Sequence, residues 1–203
     1  MEKSKIVVLI ESVMDGTIDI EQVWQTYGNQ IRNTANVTTE REAHALIALY
    51  YRYGVFLDKE GYLKDAKSYC EESLNILERE KCVMSDNQYE KTKETITYTL
   101  ATIHRQLDDY WGALNQIKQL RQLSPRKDEY RLAYIDCWGS VIGKYTTPVF
   151  IVLCILFLLK MGEIYIFHTH FIPGWLIDIA WVIWIAMAVV QFGLPWVLKK
   201  TMK

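Results

Sequence analysis

Thr146 to Leu198 reads TTPVFIVLCILFLLKMGEIYIFHTHFIPGWLIDIAWVIWIAMAVVQFGLPWVL, and this stretch decides the fold. It holds two strongly apolar segments joined by a short loop. The first is an unbroken apolar run from Pro148 to Leu159 that passes Lys160, Gly162 and Glu163 and resumes at Ile164 to Phe167. From Pro148 to Phe167 it has 20 residues, about 30 Å of helix, which matches a hydrocarbon core. Thr147 before Pro148 suits an N-cap and a first helical position, because the N–H that proline lacks has no helical partner there. The second segment, Trp175 to Leu198, carries a single charge, Asp178, and has Trp175 and Trp196 near its ends. An amphipathic indole prefers the headgroup level.

Working outward, the loop 168–174 has no Lys or Arg, whereas Lys144 precedes the first segment and Lys199, Lys200 and Lys203 follow the second. The positive-inside rule therefore predicts an integral membrane hairpin with both termini cytoplasmic. The competing reading is a pair of core helices in a soluble protein. Against it, residues 146–203 hold four of the seven tryptophans and no Arg.

The chain has 203 residues and a near-neutral mean hydropathy of −0.03, an average over two unlike halves. Residues 1–145 are net acidic and residues 146–203 net basic. No basic stripe with interleaved aromatics is present to neutralise phosphates, which argues against nucleic-acid binding. The apolar run Ile6 to Ile10 is too short for the core of a secretory signal, so the N-terminal domain is expected on the side where it is made. Cys70, Cys82, Cys137 and Cys154 show no paired metal spacing and read as reduced structural thiols.

The first 145 residues are patterned as helices throughout. Ile6 to Val13 is a short candidate stopped by Asp15-Gly16. Asp19 caps a second, with Ile20, Val23, Trp24, Tyr27 and Ile31 at helical spacing. Thr39 with Glu42 three residues later forms a capping-box pattern. Leu46, Tyr50, Tyr53 and Leu57 then mark one helix face, Gly61 interrupts, and Leu63, Ala66, Cys70, Leu74 and Leu77 mark the next. A similar pair follows: Ile96, Leu100, Ile103 and Leu107, a break at Asp108-Asp109, then Tyr110, Ala113, Ile117 and Leu120, ending at Pro125. Lys127 to Tyr145 reads as a closing helix with Tyr130, Tyr134, Cys137, Trp138 and Val141 on one face; Gly139 and Gly143 either let the chain change direction before the membrane or, as helix-interior glycines, only loosen the turn.

In these paired helices the chain resembles the tetratricopeptide repeat (TPR) family, whose 34-residue unit joins two antiparallel helices through small residues. Leu100-Ala101, Tyr110, Ala113, Leu123 and Pro125 fall in the family's phase, as do Tyr50, Tyr53-Gly54, Gly61, Leu63, Ala66 and Leu74. Two departures stand out. Ala66 and Ala113 are 47 residues apart rather than 34, which makes Glu78 to Lys93 an insertion or a lengthened pair of helices, and Thr97 stands where a large residue is expected. The resemblance implies TPR-like antiparallel helix hairpins, and with the two apolar segments the chain is expected to be all-α, ending in a transmembrane helical hairpin. It comprises capping helices at 1–38, repeats at 39–125, a closing juxtamembrane helix at 126–145 and two spans with a basic tail at 146–203. The resemblance also implies an inner groove lined by the first helix of each pair, which places Tyr51, Val55, Asp58 and Lys59, then Tyr98, Thr102, Arg105 and Gln106, toward a ligand. Tyrosines in that phase favour an apolar or helical peptide over a C-terminal carboxylate; the alternative is that they pack internally.

No nucleophile elbow, phosphate-cradling glycine loop, zincin motif or paired-cysteine site occurs, so neither an enzyme nor a cofactor or metal site is expected. His168 and His170 in the loop form an interfacial polar pair rather than a metal site, since only Glu163 and Asp178 are further donors. The intramembrane charges Lys160, Glu163 and Asp178 are the sharper signal. Lys160 and Asp178 either pair across the hairpin or snorkel separately to the interface, and a proton or ion path is a third reading. Two functions are compatible with these features. One is a cytoplasm-facing adaptor that binds a protein partner at the membrane surface. The other is a small membrane effector or immunity-type protein whose hairpin oligomerises or engages a membrane-directed partner.

Overall fold

The computed structural model describes residues 4–34, 37–162, 172–193, 196–197 and 200. They form eight α-helices and no strand. The chain divides into two compact units at Lys127/Asp128.

The first unit contains α1 (Lys5–Met14), α2 (Ile20–Arg32), α3 (Glu40–Lys59), α4 (Leu63–Arg79), a 3₁₀ turn (Lys81–Val83), α5 (Asp86–Gln106) and α6 (Tyr110–Leu123). At ten residues α1 is too short to hold itself helical in water; burial of Val7, Leu9 and Ile10 against the rest of the unit holds it. Three helices end in the same way. After α1, the Thr17 N–H bonds the Ser12 carbonyl and the Gly16 N–H that of Val13; after α3, Tyr62 bonds Leu57 and Gly61 bonds Asp58; after α5, Asp109 bonds His104 and Asp108 bonds Arg105. Each is a Schellman closure built on a left-handed residue, namely Gly16, Gly61 (φ 83°) and Asp108 (φ 56°). These residues are where the periodicity breaks in the sequence.

The Gly61 turn folds α4 back along α3. The Ser73 hydroxyl donates to the Ile47 carbonyl at 3.1 Å, and Gly54 lies against Ala66 and Cys70, an antiparallel register. A Cβ on Gly54 would stand 2.6 Å from Cys70 Sγ and 3.2 Å from the Ala66 carbonyl oxygen, so the small side chain sets this approach. Burial pushes the Cys70 thiol up to about 12, an inert packing group. The stretch 78–93 is a lengthening of the helix pair. Glu78 at the end of α4 accepts from Tyr89 and Lys93 of α5. Although burial opposes it, those two donors hold the Glu78 carboxyl below its usual range.

Two expected caps differ in detail. Thr39 accepts from the Glu42 N–H at 3.3 Å as predicted, but the Glu42 carboxylate turns to the N–H and hydroxyl of Thr38. Asp19 precedes α2 without a side-chain capping bond. Around Trp24 an aromatic cluster gathers Tyr50, Tyr53 and Tyr69 with ring centroids 4.9–5.0 Å from the indole, whose Nε1–H donates to the Leu49 carbonyl at 3.2 Å. Arg32 donates to the Tyr69 hydroxyl at 2.7 Å.

The second unit contains α7 (Asp128–Gly162), α8 (Gly174–Ala188) and a π turn (Val189–Gly193). A helix start at Pro148 is not found, because α7 runs unbroken for 35 residues with Pro148 inside it. Nothing in 141–147 stops a helix, and Gly139 and Gly143 lie inside α7 without a positive φ, so neither ends it. The segment 126–145 is thus mostly the first half of the helix that continues as the span. Pro148 gives no N–H to the Lys144 carbonyl; transmembrane helices tolerate this loss where neighbouring groups compensate.

An 18-residue stretch within α7, of mean hydropathy 2.1, and Gly174–Gln191, which is α8 continued into the π turn, of mean hydropathy 1.8, are long and apolar enough to cross a membrane. Only 11% and 6% of those stretches is buried, unlike the core helices of a soluble protein. The two helices run antiparallel, with Phe150 beside Trp184 (6.4 Å) and Phe157 beside Trp181 (5.0 Å), and with Leu153 and Ala180 buried.

Candidate functional site

A cleft of about 750 Å³ in the first unit is walled by α1, α3 and α5. Its floor is apolar, made by Val7, Ile10, Ala45, Ala48 and Ile96, and it is narrowly rimmed by charge. The helices contribute side chains of different sizes to this arrangement. Small residues at Ala45 and Ala48 on α3 leave the space that larger side chains would fill, while α1 and α5 supply branched walls.

Two contacts establish the register of the long walls. The Ser85 N–H, at the start of α5, donates to the Glu40 carboxylate at 2.7 Å, and the Tyr51 and Thr99 hydroxyls lie 3.1 Å apart. The offset between partners is similar at both places, so α3 and α5 run parallel. The Ser85 backbone N–H holds the Glu40 carboxyl below the usual carboxylate range. On the α1 side Arg41 forms an ion pair with Glu11. Both rim carboxylates are therefore engaged from within the protein. The rim cations Arg52 and Lys91 differ. Arg52 lies 2.6 Å from the Met14 thioether, which supplies no counter-charge, and Lys91 is exposed with no carboxylate in ion-pair range among the described residues.

Of the eight residues expected to face a ligand, Tyr51 lines this cleft. Val55 and Asp58 are half-buried, and one Asp58 carboxylate oxygen is enclosed without a hydrogen bond. Lys59, Thr102, Arg105 and Gln106 are exposed, and Tyr98 is 51% exposed. The Thr102 hydroxyl donates to the Tyr98 carbonyl. These residues lie on the C-terminal halves of α3 and α5, whereas the cleft lies on the N-terminal halves. The reason is the third wall: α1 ends at Met14, level with Arg52, and the cleft ends with it. Pairwise repeat phase carries no information on a helix from outside the pair. Glu11, His44 and Lys91 were missed for that reason.

A second feature missed from sequence is the turn between α5 and α6. His104 is buried and its Nδ1 lies 2.7 Å from the Asp109 carboxylate. Asp109 also caps α6 by accepting the Gly112 N–H at 2.9 Å. That backbone bond, above all, holds the Asp109 carboxyl below its usual range. A Cβ on Gly112 would stand 2.2 Å from His104 Nδ1, so only glycine leaves room for this contact.

In the hairpin, Lys160 Nζ donates to the Ile172 carbonyl at 2.7 Å, which ties the end of α7 to the chain entering α8. No ion pair joins Lys160 to Asp178, which is exposed on α8. Glu163, His168 and His170 lie outside the described residues. Among the described residues no three His, Cys, Asp or Glu side chains converge as a metal site. No protein-family model, curated protein or solved structure matches the chain.

Proposed function

We propose that this chain is a non-enzymatic adaptor, held in a membrane by α7 and α8 with both termini cytoplasmic, whose first unit binds a protein partner in the α1/α3/α5 cleft. The carrying observation is that apolar-floored cleft of about 750 Å³ on a chain that also has two exposed apolar helices of spanning length. Lysines flank the spans on the terminal sides, whereas the intervening loop has neither Lys nor Arg, which supports the orientation. Anchoring confines the cleft to the membrane plane and raises its effective concentration toward neighbours. A TPR-like pairing of α3/α4 and α5/α6 fits this reading, with the cleft on the side of the first helices.

The test is photo-crosslinking in native membranes from a reactive residue replacing Thr92 on the cleft wall. One specific adduct is expected, kept when residues 146–203 are exchanged for an unrelated two-span anchor and lost when Ala48→Trp fills the cleft. An adduct that needs the native hairpin and ignores Ala48→Trp would refute the adaptor reading.

A second reading, a membrane effector or immunity-type protein acting through its hairpin, is favoured by Asp178, an exposed carboxylate on a spanning helix that ends in a π turn. It predicts bilayer leakage or self-association abolished by Asp178→Asn; unchanged leakage in that variant removes it.

A further inference from the structure

The geometry points to an acidic amphipathic helix as the occupant of the α1/α3/α5 cleft, an inference that rests on the adaptor reading and names the partner's chemistry. Three observations carry it. First, every wall of the cleft is α-helical, with its backbone groups already bonded within the helices. Such walls offer no free N–H or C=O row to an extended peptide, so the occupant must satisfy its own backbone, as a helix does. Second, the floor of Val7, Ile10, Ala45, Ala48 and Ile96 is a strip suited to side chains at i, i+3, i+4 and i+7 of an entering helix. From Glu40 to Arg52 it follows α3 for about 18 Å, some three helical turns.

Third, the rim is net positive once the Glu11–Arg41 ion pair is set aside. The Glu40 carboxylate keeps its charge but is tied to the Ser85 N–H at the start of α5, while Arg52 and Lys91 line the cleft with no ion-pair partner among the described residues. The Glu40/Ser85 and Tyr51/Thr99 contacts have offsets of 45 and 48, so Lys91 lies level with residues 43 to 46 of α3, and Arg52 stands further along. Along the cleft axis the two cations are therefore offset by about 9–14 Å, the rise of roughly two helical turns or a little more. Carboxylates at i and i+7 of a docked helix meet both. Met14 at the open end of the cleft is an adaptable apolar contact for the same ligand.

The experiment uses the full-length protein in nanodiscs and two dye-labelled helical peptides of about 18 residues with identical Leu stripes, one with Glu and one with Lys on its polar face. The Glu peptide is expected to bind at least about tenfold more tightly, a preference that weakens with added salt. Arg52→Glu with Lys91→Glu, both exposed and outside the core, should reverse it. Equal binding of the two peptides, no binding of either, or a preference untouched by the double variant would overturn the inference. The crosslinked adduct separates the two levels. An adduct that forms but is not displaced by the Glu peptide defeats the acidic-helix assignment and leaves the adaptor; absence of any adduct defeats both.

Discussion

Gly54→Ala is the substitution on which the packing of the first unit can be judged most directly. In an open helix this change is stabilising by about 1 kcal/mol, because alanine is the better helix former. Here the new methyl would lie 2.6 Å from Cys70 Sγ, 3.2 Å from the Ala66 carbonyl oxygen and 3.3 Å from the Cys70 nitrogen. Favourable carbon contacts begin near ~3.5 Å. Cys70 and Ala66 are fully enclosed, so the thiol has nowhere to swing and the two backbone atoms move only with α4. Overpacking of this kind costs about 1–3 kcal/mol. The contact under 3.0 Å in a closed site puts the cost at the upper end of that range, about 3 kcal/mol, and less the propensity gain a net loss of about 2 kcal/mol is expected. Cys70→Ala in the Gly54→Ala background removes the worst contact and leaves the two backbone ones, so the double variant should recover part of that loss. Urea unfolding of the full-length protein in detergent, followed by circular dichroism and Trp fluorescence, gives all four corners of the cycle. A neutral or stabilising Gly54→Ala, or single effects that simply add, would show that α3 and α4 are not held at the distance described.

Three further outcomes are expected. Thr97 is fully buried on α5 and its hydroxyl has no hydrogen-bond partner among the described residues, so Thr97→Val should stabilise the first unit by about 1 kcal/mol, read as a higher urea midpoint with an unchanged slope. Gly139 and Gly143 lie inside α7 with open space around the Cβ position, and each replaced by Ala should stabilise that helix by about 1 kcal/mol in thermal melts; a loss would restore the change of direction that the sequence suggested. The Asp109 carboxyl titrates below its unfolded value, so its capping contribution is fully present above pH ~4 and is lost as the pH falls through the lower folded value. Asp109→Asn should flatten that acid limb of the stability profile, and an unaltered limb would show that the cap does not contribute.

Much of the fold was legible because it depends on local chemistry. Gly16, Gly61 and the Asp108-Asp109 pair mark turns in the sequence, since a left-handed residue is needed to close each helix. The periodic Leu46/Tyr50/Leu57 and Ala66/Cys70/Leu77 faces are the faces that become buried. The break expected at Pro148 failed for the opposite reason. A proline reads as a boundary only where its neighbours can leave the helix, and an apolar run of spanning length leaves its backbone no other partner.

By itself, then, the sequence determined an all-helical chain, the places where its N-terminal helices reverse, and two apolar helices of membrane-spanning length, because propensity, turn chemistry and hydropathy act between near neighbours along the chain. Tertiary structure alone decided where the cleft lies and which charges line it. Those depend on α1 packing against α3 across the cleft from α5, and on Glu11 and Glu40 being engaged by Arg41 and Ser85, contacts between residues 30 and 45 positions apart that no local pattern encodes.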